Sequence, residues 1–455
     1  MTGAAGPAPA EAADGLPVIE RLWAMAAIGI AMTMAVLDGA IVNVALPVMA
    51  RDLAVSPGAA IFVTNAYQLA VTAALLPLAS LGDILGYKRV YAFGLALFTL
   101  ASLGCALAPT LPLLIAARVV QGLGAAGIMS VNIALVRFIY PAKLIGRGVG
   151  TVALVVAVAS AAGPTVAGAV LSVARWPWLF LVNIPLGLLA LAVALRTLPA
   201  TPRSGGHFDA LSALLNALFF GLLITGVDGL GDPAGTGWAL LLLAGALVVG
   251  TAFVWYQVKL PAPLLPVDLL RIPVFALSMA SSVCAFSAQM MAYVALPFYF
   301  QDVMHRTSSE TGLLMTPWPI AIAVIAPVAG RLSDRLAPGR LGGLGMLGLA
   351  AGLALVASLP ANPGTLDIVW RLTLCGLGFG LFQSPNNRVI ITSAPRERSG
   401  GASGMQSTAR LVGQSLGAAM VAVIFGLLHT TGTVTVLWLA AGLSLTGAVT
   451  SALRR

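Results

Sequence analysis

The chain has 455 residues, of which 59% are hydrophobic and only 9% are charged. A soluble domain carries roughly 25% charged residues, so this composition excludes a soluble enzyme or binding module and leaves a polytopic membrane protein. The net charge of +9 falls between apolar runs, where it speaks for membrane topology rather than nucleic acid.

Residues 1–20 are rich in Ala, Pro and Gly, with Glu11, Asp14 and Glu20. They read as a disordered tail, lacking the basic start and short apolar core of a signal peptide. Apolar runs then fall near 22–47, 59–80, 90–108, 111–136, 148–172, 178–197, 209–228, 237–257, 274–300, 311–330, 341–359, 366–391, 403–428 and 433–453. Fourteen helical spans, an all-α membrane fold, put both termini on one side. With the N-terminus inside, seventeen Lys and Arg lie on the cytoplasmic side. The outer side holds four, Arg51, Arg175, Arg306 and Arg371. The excess of basic residues marks the inner face.

Asp38 is the one carboxylate set deep in an apolar run, within the first span. Such a group is costly at bilayer depth and usually marks an ion or proton pathway. Desolvation favours its neutral form, which suits a group that accepts a proton outside and yields it inside. By helix rise, Asp38 lies about 24 Å from the inner end of its span, and Arg118 about 10 Å from the outer end of the fourth. Both therefore sit in the outer half of the bilayer. Arg118 is either the partner of Asp38, directly or through water, or a side chain snorkelling to the outer headgroups.

Gly150, Gly163, Pro164 and Gly168 give the fifth span small residues and a bend. These permit close helix approach and a seal against leak. Polar side chains within spans are Asn43, Tyr67, Gln68, Gln121, Gln289, Tyr293, Gln383, Asn386 and Asn387. They either line a substrate cavity or bond neighbouring helices. Met290, Met291, Phe298 and Trp318 can supply an adaptable apolar wall. Arg410, about two turns into the thirteenth span, is either a cytoplasmic gate or a snorkelling residue.

Other chemistry finds little support. Cys105, Cys284 and Cys375 are far apart in apolar runs, and His207, His305 and His429 are scattered near span ends. Neither set suggests a metal site or disulfide. Gly122–Gly127 satisfies G-x-G-x-x-G, but it lies within a span with no preceding strand, so helix packing explains it. No GxxxxGK[ST] loop is present, which argues against ATP drive.

Two cytoplasmic loops resemble each other. Residues 79–89 (ASLGDILGYKR) carry Asp83, Gly86, Lys88 and Arg89; residues 329–340 (AGRLSDRLAPGR) carry Asp334 and Arg335. The acid is expected to cap the next helix while basic groups bind the membrane surface, latching two helices. The two Asp are 251 residues apart, whereas six spans with loops need only about 190. The surplus fits two extra spans. The expected organisation is a tail (1–20), a six-helix bundle (21–200), two linker helices (201–260) and a second six-helix bundle (261–455).

Several segments resemble the major facilitator superfamily, specifically its fourteen-span drug:proton antiporter branch of quaternary ammonium and methyl viologen resistance type exporters. Asp38 with Asn43–Pro47 resembles the first-span signature. Phe62–Tyr67 resembles the second-span motif with Phe for Trp. Residues 79–89 resemble the loop motif, with Ala79 for Gly and Ile84 for Arg. Arg118–Gly122 resembles the fourth-span motif. Gly150 through Gly168 resembles the antiporter motif with Ala at two Gly positions, and Trp176–Gly187 resembles the sixth-span entry.

The resemblance implies a multi-pass protein of the bacterial inner membrane, acting as a monomer and not as an enzyme. It would export a drug-like, amphipathic and often cationic molecule by alternating access, in exchange for protons. Protons are the expected coupling ion, with no cofactor, no metal and no nucleic acid. A specific neutral or zwitterionic metabolite, moved by exchange or symport, is the alternative.

Overall fold

The computed structural model describes residues 15–141, 144–201, 208–229, 236–260, 267–333, 336–360, 363–394, 399–428 and 432–454. Among these, fourteen helical segments are long and apolar enough to cross a membrane. Those of the first bundle are α1 (Val18–Asp52), α2 (Pro57–Leu85), α3 (Tyr87–Leu107), α4 (Leu111–Ile139), α5 (Ile145–Val173), and a broken sixth span made of α6 (Trp178–Leu181) and α7 (Asn183–Thr197). Next come α8 (Ala210–Gly229) and α9 (Thr236–Lys259). The second bundle has α10 (Pro273–Phe298), a broken span of α11 (Ser308–Met315) and α12 (Pro317–Leu332), then α13 (Pro338–Ala357), α14 (Thr365–Ser393), α15 (Ser399–Leu428) and α16 (Thr433–Ala452).

Local chemistry sets the ends. Ser56 caps α2, accepting from the Ala59 N–H at 3.2 Å, with Pro57 in the first turn. Thr307 and Glu310 form a reciprocal capping box at the start of α11. The span breaks at Thr316 because Pro317 has no N–H to continue the ladder. Between α2 and α3 the chain turns at Gly86, whose φ of 95° favours glycine.

Helices with sequential neighbours in one half pack together: α4 lies on α2 and α3, and α1 on α5 and α7. The glycines of the G-x-G-x-x-G run serve this packing. A Cβ on Gly124 would lie 2.4 Å from the Phe98 nitrogen of α3. The second half repeats the pattern, with α14 on α12 and α13, and α10 on α15 and α16. The α8–α9 pair leans on α2 and α15, where Asn216 donates to the Ala73 carbonyl at 2.7 Å.

The halves meet mainly through two seams. In one, α2 runs against α15: Gly58 faces Gly426 near the outer end, Gln68 bonds Gln414 at 2.5 Å midway, and Leu76 reaches Gly404 further in. In the other, the outer part of α5 touches α11. A Cβ on Gly312 would lie 2.1 Å from the Pro164 oxygen, and Thr165 bonds Thr316 at 2.5 Å. Alongside, Gln301 donates to the Val44 carbonyl at 2.9 Å and Arg51 pairs with Asp302.

Further in, this second seam opens. Thr165, Val158 and Leu154 share one face of α5; at the outer end it touches the second half, but Val158 is 59% and Leu154 64% exposed. On α1, Val44 meets Gln301 while Leu37 and Thr33, on the same face, are partly exposed. Among the described residues, the second seam is therefore closed at its outer end and parted further in.

Candidate functional site

The first span carries its acid into the first bundle, away from that opening. Asp38 and Arg118 are both fully buried and form a direct ion pair. Each further bond has a structural source. α4 presents Arg118 and Gln121 one turn apart, so the Gln121 amide donates to the other Asp38 oxygen at 2.9 Å and its carbonyl accepts from Arg118 at 2.6 Å. Asn183, at the start of α7, donates to that same Asp38 oxygen at 3.3 Å. Ser102 of α3 receives the second Gln121 N–H at 2.9 Å. Arg118 also donates through Nε to the Val63 carbonyl at 3.0 Å and lies 4.2 Å above the Tyr67 ring. Five spans, that of Asp38 included, contribute to this network, and two of them bond the carboxylate directly. Arg118 Nη2 alone in this cluster is buried without a partner.

The expected polar wall divides. Gln68, Tyr293, Gln383 and Asn387 are partly exposed. Gln289 is 8% exposed. Asn43, Tyr67, Gln121 and Asn386 are not on an exposed wall in this conformation: each is sealed by bonds within its own bundle. Asn43 accepts from Thr64 at 3.0 Å, and the Tyr67 hydroxyl donates to the Ala35 carbonyl at 3.0 Å. Asn386 joins Ser282 and Arg454 at the inner end of the second bundle. Burying an amide with its partners supplied is far cheaper than exposing it to lipid. Met290, Met291, Phe298 and Trp318 are buried, with Tyr293 edge-on to Trp318 at 5.1 Å.

The fifth-span residues also divide. Gly163 lets Ala40 of α1 approach, its own Cβ position being 2.4 Å from that of Ala40. Gly168 lies against Ser308 and Ser309, and Pro164 against Gly312. Gly150 faces open space. At the first loop, Asp83 does not cap α3. It sits in the last turn of α2 and accepts from the Tyr87 hydroxyl, because Gly86 places it short of the α3 N–H groups. Lys88 is partly buried and Arg89 is exposed. Asp334 and Arg335 lie outside the described residues, as do His207 and His429. Among the described residues no cluster of His, Cys, Asp or Glu could hold a metal.

Sequence reasoning missed Ser102, Asn183 and Gln301 as partners. Each is a polar residue within an apolar run, but pattern alone does not say which side of the helix it takes. An apolar groove of about 400 Å³ lies between α1 and α5 on the open side, lined by Thr33, Leu37, Leu154, Val158, Ala162 and Val166 among others.

Two helical bundles, a seam closed on one side only, and a charged pair sealed at depth define a membrane transporter. The chain belongs to the Major Facilitator Superfamily, whose family model matches residues 28–418. It is 54% identical to the uncharacterized transporter YebQ of Escherichia coli K12, over 97% of both chains. It is 33% identical to the multidrug resistance protein Stp of Mycobacterium tuberculosis, over 93% of this chain and 77% of that one. A crystal structure of the peptide transporter POT superposes with a TM-score of 0.71, covering 93% of this chain and 92% of that one at 15% identity. The protein is a multi-pass transporter of the bacterial inner membrane, not an enzyme.

Proposed function

We propose that the chain exports amphipathic small molecules in exchange for protons, with Asp38 as the proton carrier and Arg118 as its counter-ion, and that it works as a monomer. The observation that carries this reading is the position of Asp38 on α1. Its neighbour Leu37 lines the groove, while Asp38 itself is buried in the pair with Arg118. One helix therefore joins the proton site, the cavity wall and the outer seam at Val44 and Arg51.

The physics follows from the charge. With Asp38 ionised the pair is neutral. Protonation leaves Arg118 as a lone buried cation held by the Val63 and Gln121 oxygens. Losing one partner of a buried pair costs about 3–5 kcal/mol, enough to change which arrangement of α1, α4 and α7 is favoured. A proton carried inward gains about 2.3 kcal/mol per 100 mV of membrane potential. The resistance role of Stp supports export of drug-like molecules.

The test uses inverted membrane vesicles with an imposed pH gradient and a panel of amphipathic cations, neutral compounds and anions. Some compounds should collapse the gradient with the wild type and none with Asp38→Asn. A mutant that behaves as the wild type moves the coupling group elsewhere. A folded wild type that responds to no compound sinks the drug-exchange reading.

A further inference from the structure

Arg410 is an ionisable group at bilayer depth that the proton site does not use. It lies about 16 Å from the inner end of α15 by helix rise. Its Nε is buried with no hydrogen-bond partner. Among the described residues its guanidinium makes no hydrogen bond or ion pair. A charged group at this depth normally faces the bundle interior or a water-filled cavity and marks a substrate or ion pathway.

The helix shows where Arg410 faces. Gln406, Arg410 and Gln414 recur every four residues and form one polar, partly exposed stripe. Gln414 bonds Gln68 across the seam between the bundles. The opposite stripe of α15, Val412, Leu416 and Val423, is apolar and suits lipid. Arg410 therefore lies on the cavity side and not on the side from which a head could snorkel along lipid. Leu154 and Val158, in the α5 wall of the groove, lie about 14 and 20 Å from the inner end of their helix. The cation and the apolar groove are thus at one depth.

Among the described residues, no free carboxylate competes for that cation. Among the acids whose side chains are described, Asp38 alone lies in the middle of a span, and it is sealed with Arg118. A cationic substrate would meet an unpaired positive charge and no free carboxylate.

We propose that Arg410 is the substrate-charge residue, and that the cavity takes amphipathic organic anions. The carboxylate or other oxyanion lies on the Arg410 guanidinium, and the apolar ring or chain lies along the α1–α5 groove. Arg suits this role because its planar fork binds a carboxylate through two parallel hydrogen bonds. The inference rests on the export reading for the direction of movement, but not for binding.

Two xanthene dyes separate these points, because fluorescein is anionic and rhodamine 6G cationic on one ring system. Binding to the purified full-length protein is read by fluorescence anisotropy, beside vesicle proton flux. Fluorescein should bind at least tenfold more tightly than rhodamine 6G. Arg410→Gln should lose that advantage with rhodamine binding unchanged, and Arg410→Glu should reverse it. Arg410→Lys, which keeps charge and bulk, covers the case in which Gln fails to fold, and should weaken fluorescein several-fold. Equal binding of both dyes by the wild type, unchanged fluorescein binding in Gln and Lys variants, or an equal loss of both dyes overturns the proposal. Arg410-dependent fluorescein binding without dye-driven proton flux upholds the site and rejects export.

Discussion

Arg118 holds Asp38 with more than charge. Its Nε is committed to the Val63 carbonyl while Nη1 serves both Asp38 and Gln121. A lysine ammonium has no such fixed fork. Arg118→Lys should therefore keep the protein folded but reduce proton-coupled flux by tenfold or more, read in reconstituted vesicles. Arg118→Gln leaves Asp38 buried without its counter-charge, at a cost of about 3–5 kcal/mol. Its unfolding temperature in detergent should fall sharply, and the double variant Asp38→Asn/Arg118→Gln should regain most of it. If the double variant is as unstable as the single one, the pair is not what holds the site. At this scale the sequence marked Asp38, Arg118 and Gln121, because charge or an amide in an apolar run is costly. It did not mark Asn183 or Ser102 as partners, because small polar side chains are common in spans and their direction is set by neighbouring helices.

The outer seam between α5 and α11 is a contact between helical elements that only small residues allow. Gly168 and Gly312 bring the two backbones together, and Thr165 and Thr316 bond across them. The double variant Thr165→Cys/Thr316→Cys should form a disulfide that holds the outer side shut. Transport should stop on oxidation and return with dithiothreitol; oxidised protein that still transports would mean the seam does not open in the cycle. Gly312→Leu places side-chain atoms where the Pro164 oxygen lies, so the outer side should part. A cysteine introduced at Val166 should then react several-fold faster with an impermeant maleimide than in the wild-type background. The fourteen spans themselves were legible from hydropathy, with ends shifted by a few residues. The breaks at Val182 and Thr316 were not, since the apolar run continues through both.

Across the whole molecule, charge is distributed unequally between the two faces. All four outer arginines are paired: Arg51 with Asp302, Arg175 with Asp52, Arg306 with Glu310 and Arg371 with Asp367. Each exposed pair is worth at most about 1 kcal/mol, but together they neutralise those four arginines. No ion pair involves Lys88, Arg89 or Arg137 among the described residues, so these three keep their charge for anionic lipid. A cysteine at Arg175 should react with an impermeant maleimide in intact cells. One at Arg89 should react only after permeabilisation. The reverse pattern would invert the topology and, with it, the inside and outside of the cavity.

Composition and the spacing of apolar runs were sufficient for the class, the number of spans and the orientation, because lipid constrains each helix separately and that constraint is written along one chain. The side on which Asp38 is buried, the closed outer seam and the unpaired state of Arg410 were decided only by tertiary structure. Each depends on which helix lies opposite. That pairing is set by close contacts between small residues more than a hundred positions apart, such as Gly168 with Ser309 and Gly58 with Gly426, which carry no local signal of their partner.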